Sequence, residues 1–188
     1  TGGGFELVNW LTDRDKKVFV DLKFFDVPQT VQSAVRALSK HGAACATIHG
    51  NDSIRAAAAK DKGDMKVLAV TMLTSLDEGD VRDLGFQVDV KDIVLSRAKR
   101  ALELGCDGVI SSGLEVAELR KHLGDKFIVV TPGIRPVKNT DDQKRTVDVE
   151  EAFHNGADYI VVGRPIKEHT NPKQAAEDIQ RRIKALFG

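Results

Sequence analysis

Net charge, aromatic side chains and long apolar runs are what this chain has least of. Its 28 basic and 28 acidic residues cancel, and aromatics make up 5% of the 188 residues. With no basic block and no aromatics interleaved among cations, neither a nucleic-acid surface nor an anionic-membrane surface is expected, so any anionic ligand must be met locally. No apolar run reaches the roughly 18 residues of a bilayer span, and no charged-then-apolar leader opens the sequence. A soluble, cytoplasmic protein is therefore expected. Cysteine is scarce too: Cys45 and Cys106 lie far apart in small or apolar stretches without metal-ligand spacing, which reads as buried thiols in a reducing compartment. Nor does a linker rich in Pro, Gly or Ser, or a low-complexity tract, divide the chain, and a single domain is the expectation.

What the chain does have is rhythm. Segments rich in Val, Ile and Ala at 18–23, 44–49, 67–72, 108–112, 127–131 and 159–162 read as strands. Between them run amphipathic helical patterns, such as Val31, Val35 and Leu38, then Ile93, Val94, Ala98, Ala101 and Leu102, then Ala175, Ile179, Ile183 and Leu186. A further helix-like stretch, 5–11, follows an opening glycine run. Such alternation predicts the α/β class, a parallel sheet with helices outside. Six strands do not by themselves choose between an open sheet and a barrel. Polar residues close nearly every strand: Asp21 and Lys23, His49, Thr71 and Thr74, Ser111 and Ser112, Arg135, Gly163 and Arg164. That favours a barrel, whose sites are assembled from many strand ends at once.

Three constellations carry chemistry. In Asp21-Leu22-Lys23-Phe24-Phe25-Asp26 an apolar strand ends in charge, and alternation places Asp21 and Lys23 on one face. A salt-bridged strand end is the plain alternative. A lysine flanked by two carboxylates is otherwise suited to donate a proton, and unsuited to the Schiff-base chemistry that needs an uncharged amine. The second constellation, Thr131-Pro132-Gly133-Ile134-Arg135-Pro136, leads into the polar stretch 137–145 containing Gln143, a loop long enough to cover a ligand. The third is the strand that runs into Gly163-Arg164-Pro165, where glycine admits an oxyanion to the backbone and a guanidinium offers paired donors to phosphate. Arg135 and Arg164 follow the last two strands, where barrels frequently hold phosphate. His49 reads as a structural histidine at a strand end. His41, His122, His154 and His169 read as surface residues, with no metal-like pairing.

Residues 21–30 (DLKFFDVPQT), 70–75 (VTMLTS), 131–136 (TPGIRP), Asp142-Gln143 and 161–165 (VVGRP) together resemble the orotidine 5′-phosphate decarboxylase family in order and spacing. The resemblance implies a (β/α)8 TIM barrel working as a homodimer with shared active sites, and no cofactor or metal. It makes Lys23, Asp21 and Asp26 the catalytic residues, with Asp26 and Thr30 lent to the neighbouring subunit. Thr74 would bond the pyrimidine, Pro132 would lie beside it, and Arg135, Gln143, Gly163 and Arg164 would grip phosphate. The implied reaction turns orotidine 5′-phosphate into uridine 5′-phosphate, with Lys23 as proton donor, in pyrimidine biosynthesis. Family members begin with two further strands carrying a ribose-binding aspartate and a second lysine, so residues 1–188 are expected to form one N-terminally incomplete barrel domain. Phe25 and His49-Gly50-Asn51 depart from the family's usual residues. Two rival readings stand beside this one: a magnesium-dependent sugar-phosphate decarboxylase of the same superfamily, and a non-catalytic nucleotide-phosphate-binding barrel.

Overall fold

The computed structural model describes residues 3–135 and 145–188. Strands β1 (Phe19–Phe24), β2 (Cys45–Ile48), β3 (Lys66–Val70), β4 (Gly108–Ile110), β5 (Ile128–Thr131) and β6 (Tyr159–Ile160) alternate with helices, as the sequence rhythm predicts. The helices are α1 (Gly4–Thr12), α2 (Pro28–Ser39), α3 (Asp52–Lys60), α4 (Glu78–Asp83), α5 (Val90–Glu103), α6 (Val116–Leu123), α7 (Val149–His154), α8 (Arg164–Lys167) and α9 (Pro172–Phe187). The chain divides into two compact units, residues 1–71 with 96–109 and residues 72–95 with 110–188.

In the first unit β1, β2 and β3 are parallel neighbours, with Val20 opposite Ala46 and Ala46 opposite Val67. Helix α2 starts at Pro28, whose fixed φ suits a first helical position, and buries Val31, Val35 and Leu38 along one stripe. These pack with Ile48, Ile54, Ala58, Val67 and Ala101 into the unit's core. Asn51 caps α3 by accepting the Ile54 N–H. Cys106 is buried, and burial pushes its thiol up to about 11, whereas Cys45 is only half-buried. In the second unit β5 and β6 are parallel, and a core of Ile134, Val147, Val149, Ala152 and Ile179 joins the bridge Ile134–Val147 to α7 and α9.

Strand entry follows one device used twice. Gly105 and Gly156 adopt φ of 90° and 101°, a conformation glycine reaches without a Cβ penalty, and turn the chain after a helix. Two residues on, Asp107 and Asp158 each make a reciprocal clasp to the preceding strand. The Asp107 N–H donates to Val67 O at 2.9 Å while its carboxylate accepts from Val67 N–H at 2.8 Å. Asp158 does the same with Val129, at 3.0 and 2.7 Å. A cation from the preceding helix region completes each clasp, Lys62 on Asp107 and Arg120 on Asp158. For Asp107, burial opposes ionisation, but the hydrogen bonds from Lys62 and Val67 outweigh it and hold its pKa below the ordinary carboxylate value. A depressed pKa gives stability that is present above the unfolded value of about 3.9 and lost as pH falls through the lower folded value. Asp107→Asn should therefore remove that acid-labile part and lower stability at neutral pH by roughly 1–3 kcal/mol. Thermal melts of both proteins between acid and neutral pH check this; superimposable curves would contradict it.

Sequence and structure differ at the strand ends. The ladder stops at Val70, Ile110 and Ile160, two residues short of the predicted ends at 72, 112 and 162. Beyond those points the backbone is bonded differently. Thr71 O accepts from the Arg97 guanidinium at 2.8 Å, and Val161 N–H still reaches Thr131 O at 2.8 Å without extending the strand.

Candidate active site

The first unit brings Asp21 and Lys23 together as the alternation predicts: Lys23 Nζ lies 2.8 Å from both Asp21 oxygens. Thr47 of β2, fully buried, ties them further. Its Oγ1 accepts from the Lys23 N–H at 2.9 Å and donates to Asp21 Oδ1 at 2.8 Å. Sequence reasoning missed Thr47, because threonine is an ordinary strand former; its only signal is a lone hydroxyl in the apolar run Cys45–Ile48, beside β1.

Lys23 also has φ of 49°, in the left-handed region, and the β1–β2 register shifts between Val20 and Phe24. For a residue with a long side chain such a backbone costs on the order of 1–3 kcal/mol. The Asp21–Lys23 pair is about 40% exposed, with side-chain accessibilities of 42% and 39%. Ion pairs exposed to that degree contribute roughly 0–1 kcal/mol. The strain is as large as anything the pair returns, so a salt bridge that merely strengthens a strand end does not account for the arrangement. A bulge that re-aims a charged side chain next to a site does.

Other sequence-predicted residues of this unit sit nearby along the chain. The Asp26 carboxylate accepts the Val27 N–H at 2.6 Å, and Thr30 lies exposed in the first turn of α2. The His49 N–H donates to Phe24 O, and its ring meets Phe25 edge-on at 5.4 Å. Burial pushes the imidazole below its usual pKa, and the charges of Arg97, Arg55 and Lys23 push the same way. The two departures from the family's usual residues touch each other: a Cβ on Gly50 would lie 3.0 Å from the Phe25 ring and 2.6 Å from Ile54.

The second unit holds the other predicted residues. Thr74 is buried, Pro132 is half-buried, and Gly133 has φ of 76°. The Arg135 N–H donates to Val147 O at 3.0 Å and its Nη1 to Ile134 O at 2.9 Å. Arg164 is half-buried after Gly163, where an added Cβ would meet no atom within 4 Å, so the space beside that backbone is open. Pro136 and Gln143 lie outside the described residues, as does the segment 138–142.

Arg145, which the sequence places in a polar stretch, is instead buried, with Nη1 2.6 Å from Glu115 Oε1. Burial raises the Glu115 pKa above its usual value, against the pull of that guanidinium. Among the described residues no group of three or more His, Cys, Asp or Glu side chains is arranged to hold a metal ion.

The sequence profile described as the orotidine 5′-phosphate decarboxylase / HUMPS family matches residues 1–179. The chain belongs to this family. It is 61% identical over 189 aligned residues to orotidine 5′-phosphate decarboxylase of Methylococcus capsulatus, covering 100% of this chain and 78% of that protein. The enzyme of the same name from Nitrobacter winogradskyi is 48% identical, covering 96% of this chain and 77% of its own length. Among solved structures, the crystal structure of orotidine 5′-phosphate decarboxylase from Lactobacillus acidophilus superposes with a TM-score of 0.81 at 37% identity, covering 95% of this chain and 80% of that one. The fold class expected from the sequence, an α/β chain of the TIM-barrel type, is thus the fold of the family.

Proposed function

We propose that Lys23 is the proton donor in decarboxylation of orotidine 5′-phosphate to uridine 5′-phosphate. Membership of the family, with relatives carrying that enzyme's name at up to 61% identity, makes the chain a carboxy-lyase of pyrimidine biosynthesis. The observation that carries the residue assignment is the Asp21–Lys23–Thr47 cluster, with its strained lysine backbone.

In this reading the bond from C6 of the pyrimidine to its carboxylate breaks, carbon dioxide departs, and the electron pair stays on C6. Lys23 Nζ delivers a proton to that carbon and is reprotonated from solvent. Its positive charge favours the carbanion as it forms, while the Asp21 carboxylate, held by Lys23 and Thr47, opposes the substrate carboxylate that must leave. Thr74 bonds the pyrimidine and Pro132 lies beside it. Arg135, Gln143, Gly163 and Arg164 take the phosphate, whose binding energy raises the rate of a step it never touches. Asp26 and Thr30 serve the site of a second copy in a homodimer, a role supported by their exposure. The same proposal takes residues 1–188 as belonging to a single barrel domain, requires no cofactor, and places the protein in the cytoplasm. No helix among the described residues is long and apolar enough to cross a membrane.

The test is loss of ultraviolet absorbance from orotidine 5′-phosphate, run with and without a chelator. Turnover indifferent to chelation is expected. No turnover of orotidine 5′-phosphate together with magnesium-dependent release of carbon dioxide from a sugar phosphate would favour the metal-dependent relative, and uridine 5′-phosphate binding without turnover of either substrate would favour the non-catalytic barrel.

A further inference from the structure

We infer that Arg145, neutralised by Glu115, is a positioning residue that holds Thr74 in place for the pyrimidine. The inference rests on the functional reading above, which gives Thr74 that role. Three successive carbonyls after β3 are latched to this one residue. Arg145 Nη2 donates to Leu73 O at 3.0 Å and to Met72 O at 3.4 Å, and its backbone N–H donates to Thr74 O at 3.3 Å. A second strand end is tied to the same point: Ser112 Oγ donates to Arg145 O at 3.4 Å and accepts the Leu114 N–H at 3.3 Å. Glu115, three residues beyond Ser112, supplies the counter-charge at 2.6 Å.

Stability does not explain this arrangement. The two side chains are 9% and 11% accessible, and removing two charges from water carries a large desolvation cost, which their attraction repays only when every polar atom is bonded. Here Arg145 Nε and Glu115 Oε2 are buried without a hydrogen-bond partner among the described residues. A well-packed apolar pair of similar volume would hold the fold as well or better. What an apolar pair cannot do is donate to carbonyl oxygens. The guanidinium's planar fork reaches Met72 and Leu73 while its own backbone reaches Thr74, and this fixes where the Thr74 backbone sits.

The experiment compares two ligands that share ribose and phosphate but differ in the base: uridine 5′-phosphate and ribose 5-phosphate. In the full chain, the double substitution Arg145→Met with Glu115→Leu should keep the melting temperature at or above that of the parent. It should weaken uridine 5′-phosphate binding about tenfold, raise KM in step and leave ribose 5-phosphate affinity unchanged. In a Thr74→Ala background the same double substitution should have no further effect on the base-dependent part of the affinity. Should the double variant not fold, Glu115→Gln, which keeps the shape and one acceptor, must move the two affinities in the same unequal way. Equal weakening of both ligands, no change in either, or full additivity with Thr74→Ala would overturn the positioning role. Absence of uridine 5′-phosphate binding in the parent chain would instead sink the functional reading on which it rests.

Discussion

Replacing Lys23 by alanine is expected to lower decarboxylation on the order of a thousandfold or more, because the proposed proton donor, and with it the charge proposed to face the carbanion, is removed. Uridine 5′-phosphate should still bind within a few-fold of the parent, since the proposed phosphate contacts lie elsewhere in the chain. The fold should also survive. Lys23 makes a part-exposed pair with Asp21, so deleting its ammonium removes little stability, and Thr47 still bonds the carboxylate left behind. The alanine inherits the unfavourable φ of 49° and neither relieves nor adds to that strain. Three measurements on one preparation decide the matter: turnover, product affinity and melting temperature. Unchanged turnover would remove Lys23 from the chemistry. A collapse of product affinity or melting temperature would make it a structural residue.

Arg164→Ala is expected to weaken uridine 5′-phosphate by roughly ten- to a hundredfold, the scale of one or two charge-assisted hydrogen bonds to phosphate. Ribose 5-phosphate should weaken by the same factor, which separates this effect from one on the base. Turnover at saturating substrate should fall as well, because phosphate binding energy is used at the distant ring. Lysine at 164 should restore only part of the affinity, since a compact ammonium cannot present the paired donors of a guanidinium. Titration of both ligands into the parent, Arg164→Ala and Arg164→Lys proteins tests this. A dissociation constant that does not move in the alanine variant would take Arg164 out of the phosphate site.

The elements were legible in the sequence because each carries its own period. Val31, Val35 and Leu38 are spaced for one helix face and all three are buried; the six apolar runs coincide with the six strands to within two residues. The errors fall where tertiary bonding replaces the ladder, as at Thr71, whose carbonyl turns to Arg97. That Asp21 and Lys23 meet was legible, since strand alternation puts both on one face. Thr47 was not, because its hydroxyl acquires meaning only from β1 next door. Glu115 and Arg145 were invisible for a similar reason. They stand thirty residues apart, Glu115 just before a helix and Arg145 in a polar stretch, and nothing local marks either as buried until the pair is formed. The left-handed backbone at Lys23 has no sequence signal at all, for the local pattern Phe19–Phe24 reads as plain strand.

That backbone sets stability and activity against each other at a single position. Glycine or asparagine would occupy a φ of 49° with less strain than lysine does, and neither can donate the proton. Replacing this lysine by either residue should therefore raise the melting temperature while, on the proposed role, abolishing turnover. A screen that ranks variants of this chain by heat resistance alone would discard the lysine proposed as its proton donor.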